Sequence, residues 1–154
     1  KKGSKTDFEA LDLSERVQRV VDYLAKRMPS LGKKVELIND IQPGIIINAN
    51  GSLLAWSIEN LIRNGIDAID REDGKVRLSL RKESGEIKIR IQDNGKGIPK
   101  KDWRNIFRPG FSTKQTGWGL GLSLSSRIVE DIHHGKIQVI ESSPETGTVI
   151  EITL

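Results

Sequence analysis

Residues 93–99 read Asp-Asn-Gly-Lys-Gly-Ile-Pro and residues 117–121 read Gly-Trp-Gly-Leu-Gly, and the chain is organised around these two glycine clusters. The loop between them carries Trp103, Phe107 and Phe111. A loop of this length is usually functional in a compact domain and often forms a lid over an active site. The two clusters therefore predict a nucleotide site that the other helices and strands hold in place.

The composition is that of an ordinary globular domain. The 154 residues fit one domain, with 36% hydrophobic and 30% charged residues. The absence of cysteine excludes disulfides and cysteine-ligated metals, and no apolar run approaches the roughly 20 residues that span a bilayer. The net charge of +4 comes from interspersed charges rather than a basic run, so no nucleic-acid surface is expected.

The chain begins at Lys1 without a methionine, which indicates a fragment or a processed chain. We expect residues 1–10 to be a polar lead-in from a preceding element and residues 11–154 to form the domain. The domain is expected to be cytoplasmic, and a membrane anchor could lie outside this sequence.

Hydrophobic periodicity predicts a helix, two strands, a second helix, a hairpin, the glycine-bracketed loop, a third helix and a last hairpin. Ser14 is the expected N-cap of the first helix, which Pro29 and Gly32 end. The second helix starts after residues 50–52 and includes Ile69. The expected strands are residues 34–39, 45–48, 76–80, 87–91, 136–140 and 148–154, and the third helix covers residues 120–132. This order predicts the α/β class, as a two-layer α/β sandwich with three helices on one face of a mixed, mostly antiparallel sheet.

The second helix carries Asn60, Asn64 and Asp67 at spacings of four and three residues, so they share one face. That face lies roughly opposite the apolar stripe through Ile58 and Ile62. A solvated polar face is one interpretation, and the helix by itself favours it. The other interpretation is a pair of amide carbonyls aimed at a hard cation, which takes oxygen ligands and shares them with phosphates in nucleotide sites.

The first glycine cluster places Asp93 at the end of a predicted strand, where side chains face a crevice. Gly95 and Gly97 permit positive φ and close approach to a planar ligand. An ionised carboxylate only accepts hydrogen bonds, so Asp93 suits the exocyclic amine of adenine. The alternative is a surface turn, since Asp-Asn-Gly is common in turns.

The second glycine cluster immediately precedes or opens a predicted helix, where free backbone N–H groups and the helix dipole favour phosphate. No Lys-Ser/Thr pair follows the glycines, so the cluster is not a P-loop. The dinucleotide fingerprint would need a strand directly before the cluster and a third glycine one position later. Each of the three features is weak evidence by itself.

Together, the Asn-x-x-x-Asn helix, the Asp-x-Gly-x-Gly turn and the Gly-x-Gly-x-Gly helix start resemble the ATP-binding domain of sensor histidine kinases. They are similar to that family's N box and its two glycine boxes, and Phe107 and Phe111 resemble its F box. The resemblance runs from about Leu11 to the C-terminus and includes residues 134–137 (His-Gly-Lys-Ile). Residues 109–114 (Pro-Gly-Phe-Ser-Thr-Lys) resemble the nitrogen-regulation type of sensor kinase.

The resemblance implies a Bergerat fold that binds ATP and Mg²⁺, with the metal held by Asn60 and Asn64 and a lid at about residues 99–118. It implies that Asp93 reads adenine, and that Glu59, Asn60 and Lys114 take part in phosphoryl transfer, which asks mainly for positioning and charge neutralisation. The nucleotide-binding residues it implies are Asn60, Asn64, Asp67, Asp93, Gly95, Gly97, Ile98, Phe107, Phe111, Ser112, Thr113, Lys114, Gly117, Gly119, Leu120, Gly121 and Leu122.

The chain departs from the family pattern at Gly65, where alanine is common, and at Trp118, for which packing of a closed lid is the preferred interpretation. The sequence contains only His133 and His134, at the end of the third helix, whereas the family's phosphoacceptor lies on a separate dimeric helical hairpin. The resemblance therefore implies a catalytic domain without its acceptor, monomeric by itself within a homodimeric parent. Its implied partners are that hairpin and a response regulator, and no nucleic acid.

Two alternatives stay open. A Bergerat-fold ATPase of the chaperone or mismatch-repair type carries a general-base Glu four residues before its Mg-binding Asn. Here that position is Asn60, whose amide cannot take a proton from water. A non-catalytic nucleotide sensor would instead change the order of its lid with ATP to signal to a partner.

Overall fold

A computed structural model describes residues 7–28, 34–111 and 119–154, the side chains of residues 119–121 excepted. The elements are β1 (Glu9–Asp12), α1 (Leu13–Arg27), β2 (Val35–Ile41), β3 (Ile46–Ala49), α2 (Gly51–Asp67), β4 (Gly74–Glu83), β5 (Glu86–Asp93), α3 (Gly119–Ser126), β6 (Lys136–Ser143) and β7 (Gly147–Thr153). A π-helical turn, Arg127–Ile132, continues α3, and short 3-10 turns cover Lys100–Asp102 and Asn105–Phe107. Pro29 and Gly32, expected to end α1, lie outside these ranges. Within them, no helix is long and apolar enough to cross a bilayer.

The main sheet contains five strands among the described residues, in the order β2-β4-β5-β7-β6. Strands β2 and β4 are parallel, and the pairs β4–β5, β5–β7 and β6–β7 are antiparallel. Strand β5 lies at the centre. The predicted two-layer α/β sandwich, with α1, α2 and α3 on one face of a mixed, mostly antiparallel sheet, is confirmed.

The core lies between the helices and one face of the sheet. Strands β4 and β5 alternate buried and exposed residues, because successive side chains of a strand point to opposite faces. Helices α1 and α2 turn apolar stripes to the same core. Both periods can be read from the sequence, which is why these elements were predicted. The buried side chains include Val17, Val21, Leu24, Leu54, Ile58, Leu61, Ile62, Val76, Leu78, Leu80, Ile87, Ile89, Ile91, Ile150 and Ile152.

The start of α1 differs from the prediction. Asp12 is the N-cap, and its carboxylate accepts the Glu15 N–H at 3.0 Å. Ser14 is buried instead, where its hydroxyl donates to the Gln42 carbonyl oxygen at 2.6 Å and accepts the Ile45 N–H at 3.0 Å. Asp12 also ends β1, which begins within the expected lead-in and pairs antiparallel with β3. No strand was predicted there, because β1 (Glu-Ala-Leu-Asp) contains none of the β-branched or aromatic residues that favour strands.

Three other boundaries were predicted in part. The break at residues 50–52 supplies the N-cap of α2, since the Asn50 side chain accepts the Leu53 N–H at 3.0 Å. Helix α2 ends at Asp67, so Ile69 enters the core from the loop that follows rather than from the helix. The third helix is α-helical only to Ser126 before its π-helical turn. The described part of the predicted loop, residues 99–111, contains two short 3-10 turns.

His133 joins three parts of the molecule. Its Nδ1 donates to the Ile128 carbonyl oxygen at 2.9 Å and its Nε2 accepts the Asn50 N–H at 3.1 Å, a pair of bonds that the neutral imidazole makes. The ring of Phe8 lies against it, with the centroids 4.9 Å apart. The wide π-helical turn, in which the His133 N–H also bonds to Ile128, carries the imidazole to this position. His133 therefore ties the start of α2 to the end of the third helix.

We predict that His133→Ala lowers the free energy of unfolding by about 1–3 kcal/mol, because it leaves the Asn50 N–H without its acceptor. Urea unfolding measures the loss. The matched control is His134→Ala, because His134 is exposed and should change stability by less than about 0.5 kcal/mol. Equal losses of unfolding free energy in the two variants would contradict the role of His133 in joining α2 to the third helix.

The turn after β5 is held between two other parts of the chain. The Lys96 N–H donates to the Ala68 carbonyl oxygen at the end of α2 at 3.0 Å, and a Cβ on Gly95 would lie 2.5 Å from the same oxygen. On the other side, a Cβ on Gly147 would overlap the carbonyl oxygen of Asp93. Glycine is required at both positions because only hydrogen fits between the backbones.

A pair of glycines tests this packing. Gly147 and Gly85 have nearly the same φ, 86° and 84°, but nothing lies within 4 Å of a Cβ on Gly85. We expect Gly85→Ala to lose about 1–2 kcal/mol of stability from left-handed strain alone. Gly147→Ala should lose about 1–3 kcal/mol more, because its methyl group must push the end of β5 away. Thermal unfolding compares the two variants, and indistinguishable losses would refute the close contact.

Candidate nucleotide-binding site

Asp93 is a buried carboxylate at the end of the central strand. Its residue is 7% exposed, and it pairs in register with Val76 on one side and Thr148 on the other. Its Oδ1 accepts the Gly95 N–H at 2.8 Å, which fixes the plane of the carboxylate. The predicted strand-end position is confirmed, and the alternative of an ordinary surface turn does not describe a carboxylate this buried.

The Asp93 side chain packs against α2 at Gly65. A Cβ on Gly65 would lie 3.4 Å from the Asp93 Cβ and 3.5 Å from its Oδ2. An alanine methyl would make an ordinary contact there, so space alone does not require glycine. Since Gly65 directly follows Asn64, this contact brings the start of the first glycine cluster beside the part of α2 that carries the Asn64 amide.

The side-chain NH₂ group of each asparagine of α2 donates to a protein atom. The Asn60 Nδ2 donates to the Ser125 hydroxyl on α3 at 3.5 Å, and the Asn64 Nδ2 donates to the Asn60 carbonyl oxygen at 3.1 Å. Asn60 is only 4% exposed, so the solvated-face interpretation is wrong for this residue. Asn64 is half-buried and Asp67 is exposed. The exposure of the predicted polar face therefore increases along α2, from the buried Asn60 to the exposed Asp67.

These amides fit a Mg²⁺ ion as part of its ligand set. In each of them the NH₂ group is turned to a protein atom, and an amide oxygen is a ligand that suits a hard cation. In the described part of the chain, no group of three His, Asp or Glu side chains could hold a metal. A cation here would complete its shell with phosphate and water oxygens, as Mg²⁺ does in nucleotide sites.

Buried polar side chains lie between α2 and α3. Besides Asn60, Ser125 is fully buried, and so is Ser57, three residues before Asn60 on the same side of α2. The Ser57 Oγ has no hydrogen-bond partner among the described residues. Sequence reasoning missed both serines, because serine within a helix is too common to signal a site.

The glycines of the first cluster contact protein backbone. Gly97 has φ 81°, and a Cβ on it would lie 2.5 Å from the Ser143 carbonyl oxygen in the β6–β7 hairpin. Gly95 faces the end of α2, as described above. The prediction that these two glycines line a base stays a prediction, but protein packing already requires each of them.

Asn94 clamps the same turn from outside. Its Oδ1 accepts the Lys75 N–H at 2.8 Å and its Nδ2 donates to the Asp73 carbonyl oxygen at 2.9 Å. A hydrogen bond from Arg71 holds the pKa of the exposed Asp73 carboxyl below its usual value. Asn94 is therefore a structural residue of the first glycine cluster, a role that the sequence did not reveal.

The segment after the turn returns to the core. The Ile98 N–H donates to the Ser142 hydroxyl at 2.7 Å, and the Trp103 Nε1 donates to the Ile98 carbonyl oxygen at 3.0 Å. The 3-10 turn Asn105–Phe107 packs against α3. The half-buried apolar side chains that pack on the core here are Ile98, Trp103, Phe107, Phe111 and Leu122. These contacts hold residues 98–111, the described part of the predicted lid, against the core.

The remaining predicted residues are Glu59 and those of the lid and the second glycine cluster, some of which lie outside the described ranges. Glu59 is half-buried and pairs with Arg63 at 3.1 Å, so it is more than an exposed helix residue. The backbone of residues 119–121 forms the first turn of α3, as predicted for the second glycine cluster. The predicted residues that lie outside the described ranges are Ser112, Thr113, Lys114, Gly117 and Trp118.

Comparisons with known proteins identify the family and the fold of the chain. Residues 50–154 match the family model of the histidine kinase-, DNA gyrase B-, and HSP90-like ATPases. The signal transduction histidine-protein kinase AtoS of Escherichia coli strain K12 is 39% identical over 139 residues, which cover 90% of this chain and 20% of AtoS. The chain spans about a fifth to a third of the length of the curated relatives it matches.

Solved structures share the fold. The catalytic domain of histidine kinase ThkA matches with a TM-score of 0.83 and 25% identity, covering 96% of this chain and 94% of that one. A complex of ThkA with response regulator protein TrrA matches with a TM-score of 0.80 and 22% identity, covering 96% of this chain and 41% of the ThkA chain. By its motifs, its fold and its matches, this chain belongs to the family of histidine kinase-, DNA gyrase B-, and HSP90-like ATPases, as an ATP-binding domain of the histidine kinase type.

Proposed function

We propose that the chain binds ATP with Mg²⁺ and transfers the γ-phosphoryl group to a histidine on a separate helical hairpin. The observation that carries this proposal is the buried carboxylate of Asp93 beside the turn of α2 that bears Asn64. The carboxylate that reads the base would then lie beside the same helix, α2, that carries the two metal-binding amides.

Asp93 would read the adenine end of the nucleotide. Its Oδ1 is oriented by the Gly95 N–H, and its Oδ2 lies beside Gly65 of α2. A carboxylate accepts a hydrogen bond from the exocyclic amine of adenine and repels the carbonyl oxygen that guanine carries there. Gly95, Gly97, Ile98 and Asp67 would border the base.

Asn60 and Asn64 would hold the Mg²⁺ near the phosphates. The two residues lie one turn apart, about 6 Å along the axis of α2. When bound, the metal neutralises the charge of the phosphate oxygens. Glu59 is proposed to assist transfer to the acceptor, with Arg63 holding its carboxylate in place.

The lid and the second glycine cluster would cover the phosphates. Lys114 would supply a positive charge, and the first backbone N–H groups of α3 would donate to phosphate oxygens. The other residues proposed to contact the nucleotide are Phe107, Phe111, Ser112, Thr113, Gly117, Gly119, Leu120, Gly121 and Leu122.

The acceptor histidine is proposed to lie outside this chain. His133 is engaged through both ring nitrogens, and His134 lies in a left-handed turn with φ 57° between the third helix and β6. Residues 1–10 would lead in from the acceptor hairpin of a homodimeric, cytoplasmic parent whose sensing part could be anchored in a membrane. A response regulator is the proposed later partner, as in the complex of ThkA with TrrA. Residues 109–114 support the nitrogen-regulation subtype.

We predict that Asn64→Ala abolishes Mg²⁺-dependent transfer to the parent's acceptor hairpin, a loss of at least about a hundredfold, because the clamp on the phosphates loses a ligand. Labelled ATP measures transfer, and released phosphate measures hydrolysis in the same samples. Asn48→Ala is the matched control, since Asn48 is exposed on β3. Normal transfer by Asn64→Ala would refute the metal assignment. In the unaltered chain, hydrolysis without transfer would indicate the ATPase, and binding with neither would indicate the sensor.

We predict that Asp93→Asn weakens ADP binding about tenfold or more without unfolding the domain. The new side chain keeps an oxygen for the Gly95 N–H, so its NH₂ group would face the adenine amine, donor against donor. Calorimetry with ADP and GDP measures the change, and GDP should not weaken in parallel. The matched control is Asp131→Asn, an exposed carboxylate on the π-helical turn. Unchanged affinity for ADP would remove Asp93 from the base site.

A further inference from the structure

We infer that Ser125 is a positioning residue that orients the Asn60 amide so that its oxygen faces the metal. The inference rests on the proposed function, because it assumes the Mg²⁺ ligand role of Asn60. Ser125 lies on α3, which directly follows the lid, and Asn60 lies on α2. Their hydrogen bond therefore connects the lid-bearing helix to the metal-binding helix.

The orientation of the amide matters because its two ends differ chemically. The carbonyl oxygen can ligate a cation, whereas the NH₂ group only donates hydrogen bonds. In the structure, the NH₂ group of Asn60 points to the Ser125 Oγ at 3.5 Å. The planar amide then carries its oxygen on the side away from Ser125. The distance is long for a hydrogen bond, and such contacts shorten when a ligand draws the groups into place.

Burial makes this contact more than a surface pairing. Ser125 is fully buried and Asn60 is 4% exposed, so water does not substitute for the serine hydroxyl. The fully buried Ser57 Oγ, on the same side of α2, has no partner among the described residues. Alanine would satisfy packing between two helices without burying polar atoms, and an unpaired buried hydroxyl is destabilising. We therefore attribute these buried polar side chains to the proposed metal-binding part of α2 rather than to a contribution to the stability of the fold.

The first experiment separates metal binding from base binding. Calorimetry would measure the affinity of the whole chain for a non-hydrolysable ATP analogue as Mg²⁺ is raised, and its affinity for ADP in EDTA. Ser125→Ala is expected to raise the Mg²⁺ concentration of half-maximal effect about three- to tenfold, the value of one ordinary hydrogen bond. Metal-free ADP affinity should not change. Ser126→Ala, at the next and only half-buried residue, is the matched control and should equal the unaltered chain.

The second experiment distinguishes orientation from packing. Asn60→Asp replaces the amide with a carboxylate, whose two oxygens are equivalent and need no orientation. In that background, Ser125→Ala should shift the Mg²⁺ midpoint less than twofold, whereas an equal shift in both backgrounds would assign the effect to packing and overturn the inference. A Ser125→Ala midpoint identical to that of the unaltered chain would also overturn it. If the unaltered chain shows no Mg²⁺ dependence, the metal assignment of the proposed function fails instead.

Discussion

The contact between the turn after β5 and the C-terminal end of α2 sets the geometry of the whole site. The Lys96 N–H bonds to the Ala68 carbonyl oxygen, and Gly95 leaves no room for a side chain between the two backbones. Asp93 is consequently held against Gly65, while Asn60 lies about 7.5 Å further toward the start of α2. The distance between the Asp93 carboxylate and the Asn60 amide is thus set by the segment of α2 between Gly65 and Asn60.

Helix α2 is held at both ends, and this explains how it can serve as the reference for the site. Its N-terminal end is tied to the third helix by the bond from the Asn50 N–H to His133, and the Phe8 ring lies against the His133 ring. Its C-terminal end is held by the turn after β5. The bond between Asn60 and Ser125 lies between these two anchors, so it is the point at which α3 reaches the proposed metal site.

The elements that could be predicted are those in which the pattern of apolar residues repeats several times along the chain. Strands β4 and β5 alternate over eight residues or more, and α2 repeats its apolar residues over 17. The site motifs were predicted for a related reason, because Asn60 and Asn64 share a face through spacing alone. The N-cap of α1 was assigned to Ser14 rather than Asp12 because both residue types favour that position, and only the bonds of Ser14 to residues 42 and 45 exclude it.

The sequence by itself determined the layer architecture, the order of the elements other than β1, the positions of Asn60, Asn64 and Asp93, and the family. Local periodicity and the spacing of motifs carry that information, since both act within one helix turn or one strand. Only the tertiary structure decided that β1 pairs with β3, that His133 accepts the Asn50 N–H, that Gly147 lies on Asp93, and that Ser125 meets Asn60. Each of these contacts joins residues that are distant in the chain, and no local pattern encodes which buried hydrogen-bonding groups will meet once the layers have packed.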